Sequence, residues 1–119
     1  MARTPLTVQT TAASGIVLAA AVAVDAGSGN EFANDGRTQI HITNGAATSV
    51  TATFVTNGTY NVGAVAYPIS DLAIVVASST TVAAGPFDKT LFDSATARVE
   101  INWSSGTSIT ARVVSLGTA

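Results

Sequence analysis

The chain has 119 residues, of which 47% are hydrophobic and only 10% charged, and its formal net charge is −2. Globular domains typically carry about 25% charged residues, so this composition is typical of a single domain that associates with itself or with partners. The five basic residues are scattered singly, which argues against a nucleic-acid interface. Cysteine is absent, which excludes disulfides and thiolate metal sites.

The first eleven residues, MARTPLTVQTT, contain a proline and several threonines but too few apolar residues for a core element. We predict an extended N-terminal arm over residues 1–11, followed by one domain over residues 12–119. Leu6 and Val8 alternate with polar residues as in a strand with one buried face. This arm either docks on a neighbouring molecule or frays.

The apolar run Ala12–Val24 is shorter than a membrane span, which takes about twenty residues, so we predict no membrane partner. It also lacks the basic start of a signal peptide. We therefore interpret the run as part of the fold. Its alanines allow a helix, but Gly15 and the β-branched valines favour a buried strand, which is our prediction.

Oxygen-bearing side chains gather after this run, at Asp25, Glu31, Asn34 and Asp35. Calcium uses such ligands, but their spacing does not match the EF-hand pattern. Turns rich in Asx residues use the same side chains to bond their own backbone. We therefore predict turns here, with no metal and no other cofactor.

Apolar and polar residues then alternate in short segments that are separated by turns. Residues 38–43 and 49–56 are two such segments, joined across an Asn-Gly turn, and they predict an antiparallel hairpin. The apolar run Leu72–Ala77 fits a strand that is buried on both faces or at a subunit contact.

Residues 97–103 and 108–116 repeat the alternation and predict a second hairpin. Arg98, Glu100 and Arg112 then lie on the outer faces of adjacent strands as a cross-strand charge group. About seven or eight short strands without a convincing helix predict an all-β fold, a single-domain β-sandwich or jelly-roll-like barrel.

No set of residues has the pattern of a catalytic site. His41 is the one histidine, and its outward position on an alternating strand does not suit the buried base of a catalytic triad. Asp25, Glu31 and Asp35 include the carboxylate pair that glycoside hydrolysis needs, but the sequence of so small a domain indicates no cleft. We therefore predict that the protein is not an enzyme.

A sugar-binding platform of aromatic side chains is the alternative function that the sequence leaves open. Tyr60, Tyr67 and Trp103 are its candidate residues. Trp103 continues the inward face of Val99 and Ile101, however, so we predict that it lies in the core.

Four segments carry a family resemblance: RTPLTVQT, EFANDGRTQIHITNG, GPFDKTLFD and the C-terminal VEINWSS with TSITARVVSL. Together they resemble small bacteriophage virion proteins, many of which are capsid decoration (cement) proteins. The resemblance covers most of the chain and rests on Phe32, Asn34, Gly36, Arg37, Thr38, Asn44, Gly85, Pro86 and Phe87. It implies β-sandwich subunits, often trimers, on the outer capsid where capsomers meet.

These observations lead us to expect a virion structural protein, made in the bacterial host cytoplasm, that binds the outer capsid surface and bridges capsomers. Its expected partners are the major capsid protein and further copies of itself, with a trimer favoured. The expected contact residues are Thr4, Pro5, Leu6, Val8, Arg37, His41, Leu72, Ile74 and Val76. The alternatives are a small carbohydrate-binding β-sandwich and a neck, tail or head-fibre component.

Overall fold

Short strands with alternating burial build almost the whole fold. The computed structural model describes residues 3–116, without the side chains of residues 59–61 and 67–68. The strands are β1 (Thr4–Pro5), β2 (Val8–Thr10), β3 (Val22–Ala23), β4 (Asn30–Ala33), β5 (Thr38–Asn44), β6 (Val50–Phe54), β7 (Thr59–Val62), β8 (Val65–Pro68), β9 (Leu72–Val76), β10 (Thr80–Ala84), β11 (Arg98–Trp103) and β12 (Ile109–Ser115). One helical turn, α1 (Lys89–Phe92), lies between β10 and β11.

The strands form two packed sheets and one separate hairpin. Sheet A has the order β1-β4-β11-β6-β9, and sheet B has the order β10-β5-β12-β2, with β3 also paired to β12. The β1–β4 and β2–β12 pairs are parallel and the other ladders are antiparallel. Strands β7 and β8 pair only with each other. The predicted all-β, sandwich-like class is confirmed.

Apolar side chains from both sheets meet between them, and Phe87 lies at the centre of this core. Its ring centroid is 4.9 Å from that of Phe54, 5.7 Å from that of Phe32 and 5.3 Å from that of Phe92. Phe87 is only 2% exposed. Burying one such side chain stabilises a fold by about 1.5–3 kcal/mol. The loop before α1 therefore contributes a central side chain to the core.

Both predicted hairpins are wrong, because each joins strands of different sheets. Strand β5 pairs with β10 and β12, whereas β6 pairs with β9 and β11. Strands β11 and β12 are likewise divided between sheets A and B. Each connection has five residues, 45–49 and 104–108, which span about 16 Å when extended. That length is enough to cross the gap of about 10 Å between packed sheets.

The apolar run of residues 12–24 is not the predicted buried strand. Residues 12–20 are exposed and belong to no strand or helix, and only the two residues of β3 pair with β12. Strand β2 occupies the same edge of β12 from Val113 to Ser115, which leaves β3 little room to extend. No helix in the described ranges has the length and apolarity to cross a membrane.

The N-terminal segment is part of the sandwich, and the predicted arm is not confirmed. Strand β1 pairs with β4 of sheet A, and β2 pairs with β12 of sheet B. Leu6 lies between the two strands and is buried in the core at 6% exposure. Residues 4–10 therefore pass from one sheet to the other along one side of the fold.

Candidate interaction surface

An uncharged strand edge lies at one side of the fold, along β9. One edge of β9 pairs with β6 in unbroken register, and the order of sheet A places no described strand on its other edge. Such an edge presents main-chain N–H and C=O groups that can pair with another chain, and proteins usually protect it with charge or proline. The sequence of β9, LAIVV, contains neither.

Side chains of β9 also leave apolar surface exposed beside this edge. Val76 is buried and Ile74 is half-buried against the core, but Val75 is 63% exposed and Leu72 is 42% exposed. The prediction that this strand is buried on both faces is therefore wrong. A subunit contact, its alternative, stays a prediction. We call Leu72, Ala73 and Val75, with the unpaired backbone of β9, the edge surface.

The β7–β8 hairpin adds two more exposed valines. Val62 and Val65 flank its turn and are 55% and 51% exposed. The hairpin connects β6 to β9, and the Asp71 carboxylate fixes its base by accepting a hydrogen bond from the Thr56 N–H at 3.0 Å. The hairpin tip is therefore a second exposed apolar surface, on a strand pair that is separate from the sheet that carries the edge surface.

The predicted contact residues of β1 lie at the opposite side of sheet A, Leu6 lies in the core, and Val8 lies on β2 at the edge of sheet B. Thr4 and Pro5 are exposed, Val8 is half-buried, and Leu6 packs inside this chain. Strand β1 is separated from β9 by four strand spacings, or about 19 Å. The sequence-predicted contacts are therefore divided between two flanks, and Leu6 and Val76 contact this chain's own core.

Arg37 and His41 belong to neither flank. Arg37 is exposed in the turn between β4 and β5, where its main-chain N–H donates to Asp35 Oδ1 at 2.8 Å. His41 is half-buried on the outer face of sheet B, as its outward position predicted. The strand register places it between Ala83 of β10 and Arg112 of β12.

Three of the four candidate metal ligands, Asp25, Asn34 and Asp35, form turns, and Glu31 lies in β4. Asp25 accepts hydrogen bonds from Thr4 Oγ1 at 2.6 Å and from the N–H groups of Ser28 and Gly27, which together lower the pKa of its carboxyl group. Asp35 accepts from the hydroxyl of Ser115 and from nearby backbone, with the same effect on its pKa. Within residues 3–116, no group of three or more His, Cys, Asp or Glu side chains is placed to hold a metal ion.

The charged residues of sheet A form a ladder that the sequence had indicated only in part. Glu100 lies directly opposite Glu31. Arg3 approaches Glu100 at 3.4 Å, and Arg98 approaches Glu31 at 3.6 Å. Arg112 lies in sheet B, so the predicted charge group of Arg98, Glu100 and Arg112 is wrong. The mistake follows from the second hairpin, which placed both sets of charges on one sheet.

The aromatic candidates for sugar binding are not all on one surface. Trp103 is buried at 7% exposure, and its indole Nε1 donates to Asn30 Oδ1 at 2.8 Å, which confirms its predicted place in the core. Tyr60 and Tyr67 are directly opposite each other in the β7–β8 register. Their side chains lie outside the described part of the chain.

No protein-family model, curated protein or solved structure matches this chain. The geometry of its surfaces is therefore the basis for a functional proposal.

Proposed function

We propose that this protein is a non-enzymatic structural component of a bacteriophage virion that attaches to the outside of the capsid and bridges capsomers. The observation that carries the proposal is the uncharged, unpaired edge of β9. An edge with this composition favours association with another chain. A partner strand on β9 would gain main-chain hydrogen bonds along the edge and cover Leu72 and Val75.

The position of the two flanks supports a bridging role. Exposed Thr4 and Pro5 lie at one side of sheet A and the edge surface lies at the other. Contacts at both sides can form at once, and several weak contacts on a repeating lattice add to a high avidity. We propose the major capsid protein and further copies of this chain, as a trimer, as the partners.

We further propose that the sandwich is a jelly roll. The chain passes back and forth between the sheets, and the resulting orders are β3-β12-β5-β10 and β4-β11-β6-β9. In one sheet β12 lies between β3 and β5, and in the other β11 lies between β4 and β6. Two Greek keys produce this arrangement. Jelly rolls occur in viral capsid and lectin domains, so this topology is compatible with the proposal without selecting it.

The experiment is to add the purified chain to phage capsids that lack it and to measure occupancy by sedimentation and the temperature at which the particles open. We expect saturable binding and a raised opening temperature. Val75→Glu places a charge on the edge surface and should reduce occupancy at least about tenfold, because a charge on an edge strand opposes pairing.

Ala95→Glu is the matched control, since Ala95 is exposed in the connection between α1 and β11. This connection accepts a hydrogen bond at Ala97 O from Asn34 N–H, next to β4, which lies three strands from β9 in sheet A. The control variant should bind like the unmodified chain. Light scattering of the free protein tests the oligomer. A stable monomer that binds no capsid would overturn the proposal.

A carbohydrate-binding module is the second candidate, favoured by the direct pairing of Tyr60 with Tyr67 in the β7–β8 hairpin. Paired aromatic residues on an exposed hairpin can stack on sugar rings. Glycan-array binding that is lost in Tyr60→Ala or Tyr67→Ala would support this function, and a blank array would count against it. A neck, tail or head-fibre component would share the edge surface but would occupy another site on the virion.

A further inference from the structure

A pocket of about 300 Å³ lies in the edge of sheet B, where β12 changes neighbours. Strand β3 pairs with Thr110 and Ala111, and β2 pairs with the residues from Val113 onward. Arg112 lies at the step between them. Pro5, Leu6, Ala20 and Val22 contribute apolar lining, and Gln9 and Arg112 contribute polar groups. Binding pockets in proteins commonly have this composition, with volumes from about 300 Å³ upward.

The guanidinium group of Arg112 is incompletely paired in this pocket. Its Nε is buried and has no hydrogen-bond acceptor among the described residues. Its Nη1 donates to the carbonyl oxygen of Ala19 at 3.2 Å, and Arg112 forms none of the ion pairs found in residues 3–116. Guanidinium stays charged at all relevant pH values, and a buried donor without an acceptor costs about 1–3 kcal/mol.

Another molecule cannot reach the buried Nε, so it would engage the Nη groups, and a carboxylate is the group that suits them best. It accepts two parallel hydrogen bonds from guanidinium and balances its charge. All seven Asp and Glu side chains of this chain are engaged elsewhere. Three form ion pairs, Glu100 with Arg3, Glu31 with Arg98 and Asp93 with Lys89. The other four accept hydrogen bonds from nearby hydroxyl or backbone groups: Asp25, Asp35, Asp71 and Asp88. The acceptor for Arg112 would therefore come from another molecule.

The surface beside the pocket indicates how large that molecule is. The 12–21 segment forms one side of the pocket, and Gln9 holds it: the Gln9 amide donates to Val17 O at 3.1 Å and accepts from Ala19 N at 2.8 Å. Its apolar side chains point outward, with Val17 92% and Leu18 43% exposed, and Val22 on the pocket itself is 53% exposed. A small carboxylate would leave these side chains in water, whereas a peptide would cover them.

The geometry points to a docking site for an acidic side chain, Asp or Glu, flanked by apolar residues in a segment of a partner protein. The carboxylate pairs with Arg112, and the flanking residues pack on the 12–21 segment. Arginine paired in a desolvated pocket is a common anchor of protein interfaces. This inference is independent of the proposed virion function, because it rests only on the pocket and its guanidinium.

The test uses the full chain labelled with ¹⁵N, in which four arginines give separate Nε–H signals. Arg112→Lys identifies the Arg112 signal by its loss. The probes are the peptide acetyl-Val-Glu-Val-amide, its Gln counterpart, and hexanoate. We expect the Glu peptide to shift the Arg112 Nε–H signal with saturation, and the Gln peptide to bind at least about tenfold more weakly, since charge-assisted hydrogen bonds are about twice as strong as neutral ones.

Two variants test the pocket itself. Ala20→Trp fills the pocket from an exposed position and keeps the guanidinium, so it should abolish the shift even where Arg112→Lys fails to fold. Arg98→Lys is the matched control on the opposite sheet and should leave binding unchanged. An unmoved Arg112 signal at millimolar Glu peptide would overturn the inference. Hexanoate binding as tight as that of the Glu peptide would also overturn it, in favour of a small-molecule site.

Discussion

Trp103 Nε1 donates a hydrogen bond of 2.8 Å to Asn30 Oδ1, across a separation of 73 residues in the chain. The same oxygen accepts from the Asp25 N–H at 2.9 Å, and the Asn30 amide group donates to Thr4 O at 3.0 Å. Asn30 is fully buried. One carboxamide thus joins the end of β11, the loop before β4 and the N-terminal strand.

Replacing this carboxamide should destabilise the fold strongly. In Asn30→Leu, the buried indole N–H and the Asp25 N–H both lose their acceptor, and each unsatisfied group costs about 1–3 kcal/mol. We expect the free energy of unfolding to fall by about 2–6 kcal/mol, measured by urea denaturation followed through the fluorescence of the one tryptophan. Asn57→Leu is the control, since Asn57 is exposed and its side chain makes one bond, to Phe92 O. A cost no larger than that of the control would contradict this role for Asn30.

Removal of the Phe87 ring should cost more than removal of its neighbour on α1. Phe87 is in contact with three other rings and is almost fully buried, whereas Phe92 is only partly buried. We expect Phe87→Ala to lower the free energy of unfolding by about 3–5 kcal/mol, because the large cavity cannot collapse. Phe92→Ala should cost less. Thermal unfolding of the two variants side by side tests the order, and equal losses would show that Phe87 is not the centre of the core.

Gly29 and Gly15 allow the cost of backbone strain to be measured separately from the cost of a steric clash. Both have positive φ, +79° and +88°. A Cβ at Gly29 would lie 2.7 Å from the backbone oxygen of Ile101, whereas a Cβ at Gly15 would meet nothing within 4 Å. We expect Gly15→Ala to cost about 1–2 kcal/mol from backbone strain alone, and Gly29→Ala to cost more. Chemical denaturation of both variants measures the difference. Equal costs would mean that the backbone of β11 moves away from the new Cβ without a loss of stability.

Acid should weaken the fold partly through Asp35. The hydrogen bond from Ser115, and then the one from the Arg37 N–H, lower the pKa of this carboxyl group below its ordinary value of 3.8 in the folded state. The folded state therefore binds this proton less readily than the unfolded state does, so the stabilisation is complete above the unfolded pKa and is lost as pH falls through the folded pKa. We expect the urea concentration at the unfolding midpoint to decrease as the pH falls below about 4.

Two variants isolate this contribution. Asp35→Asn removes the titrating group and Ser115→Ala removes the bond that lowers its pKa most. The drop in midpoint between pH 7 and pH 3 should be smaller in both than in the unmodified chain. An unchanged drop in both variants would exclude Asp35 as a source of the acid sensitivity. Asp25 and Asp88 also have lowered pKa values and should account for part of the remainder.

The sequence alone determined that the fold is nearly all β, which side chains of β5, β6 and β11 point inward, and that Trp103 lies in the core. Successive side chains of a strand point to opposite faces, so the alternation of apolar and polar residues can be recognised from neighbouring residues alone. It also indicated that Asp25 and Asp35 serve turns, because an Asx side chain bonds backbone that is only two or three residues away.

Tertiary structure decided which strands pair. A five-residue connection can turn within a sheet or cross between sheets, and Ile42 and Ala52 point inward in either case, so alternation cannot distinguish the two. The exposure of the 12–21 segment, the free edge of β9 and the incompletely paired guanidinium of Arg112 depend on that same pairing. Each results from which strand occupies the neighbouring edge, and this is set by contacts between residues far apart in the chain.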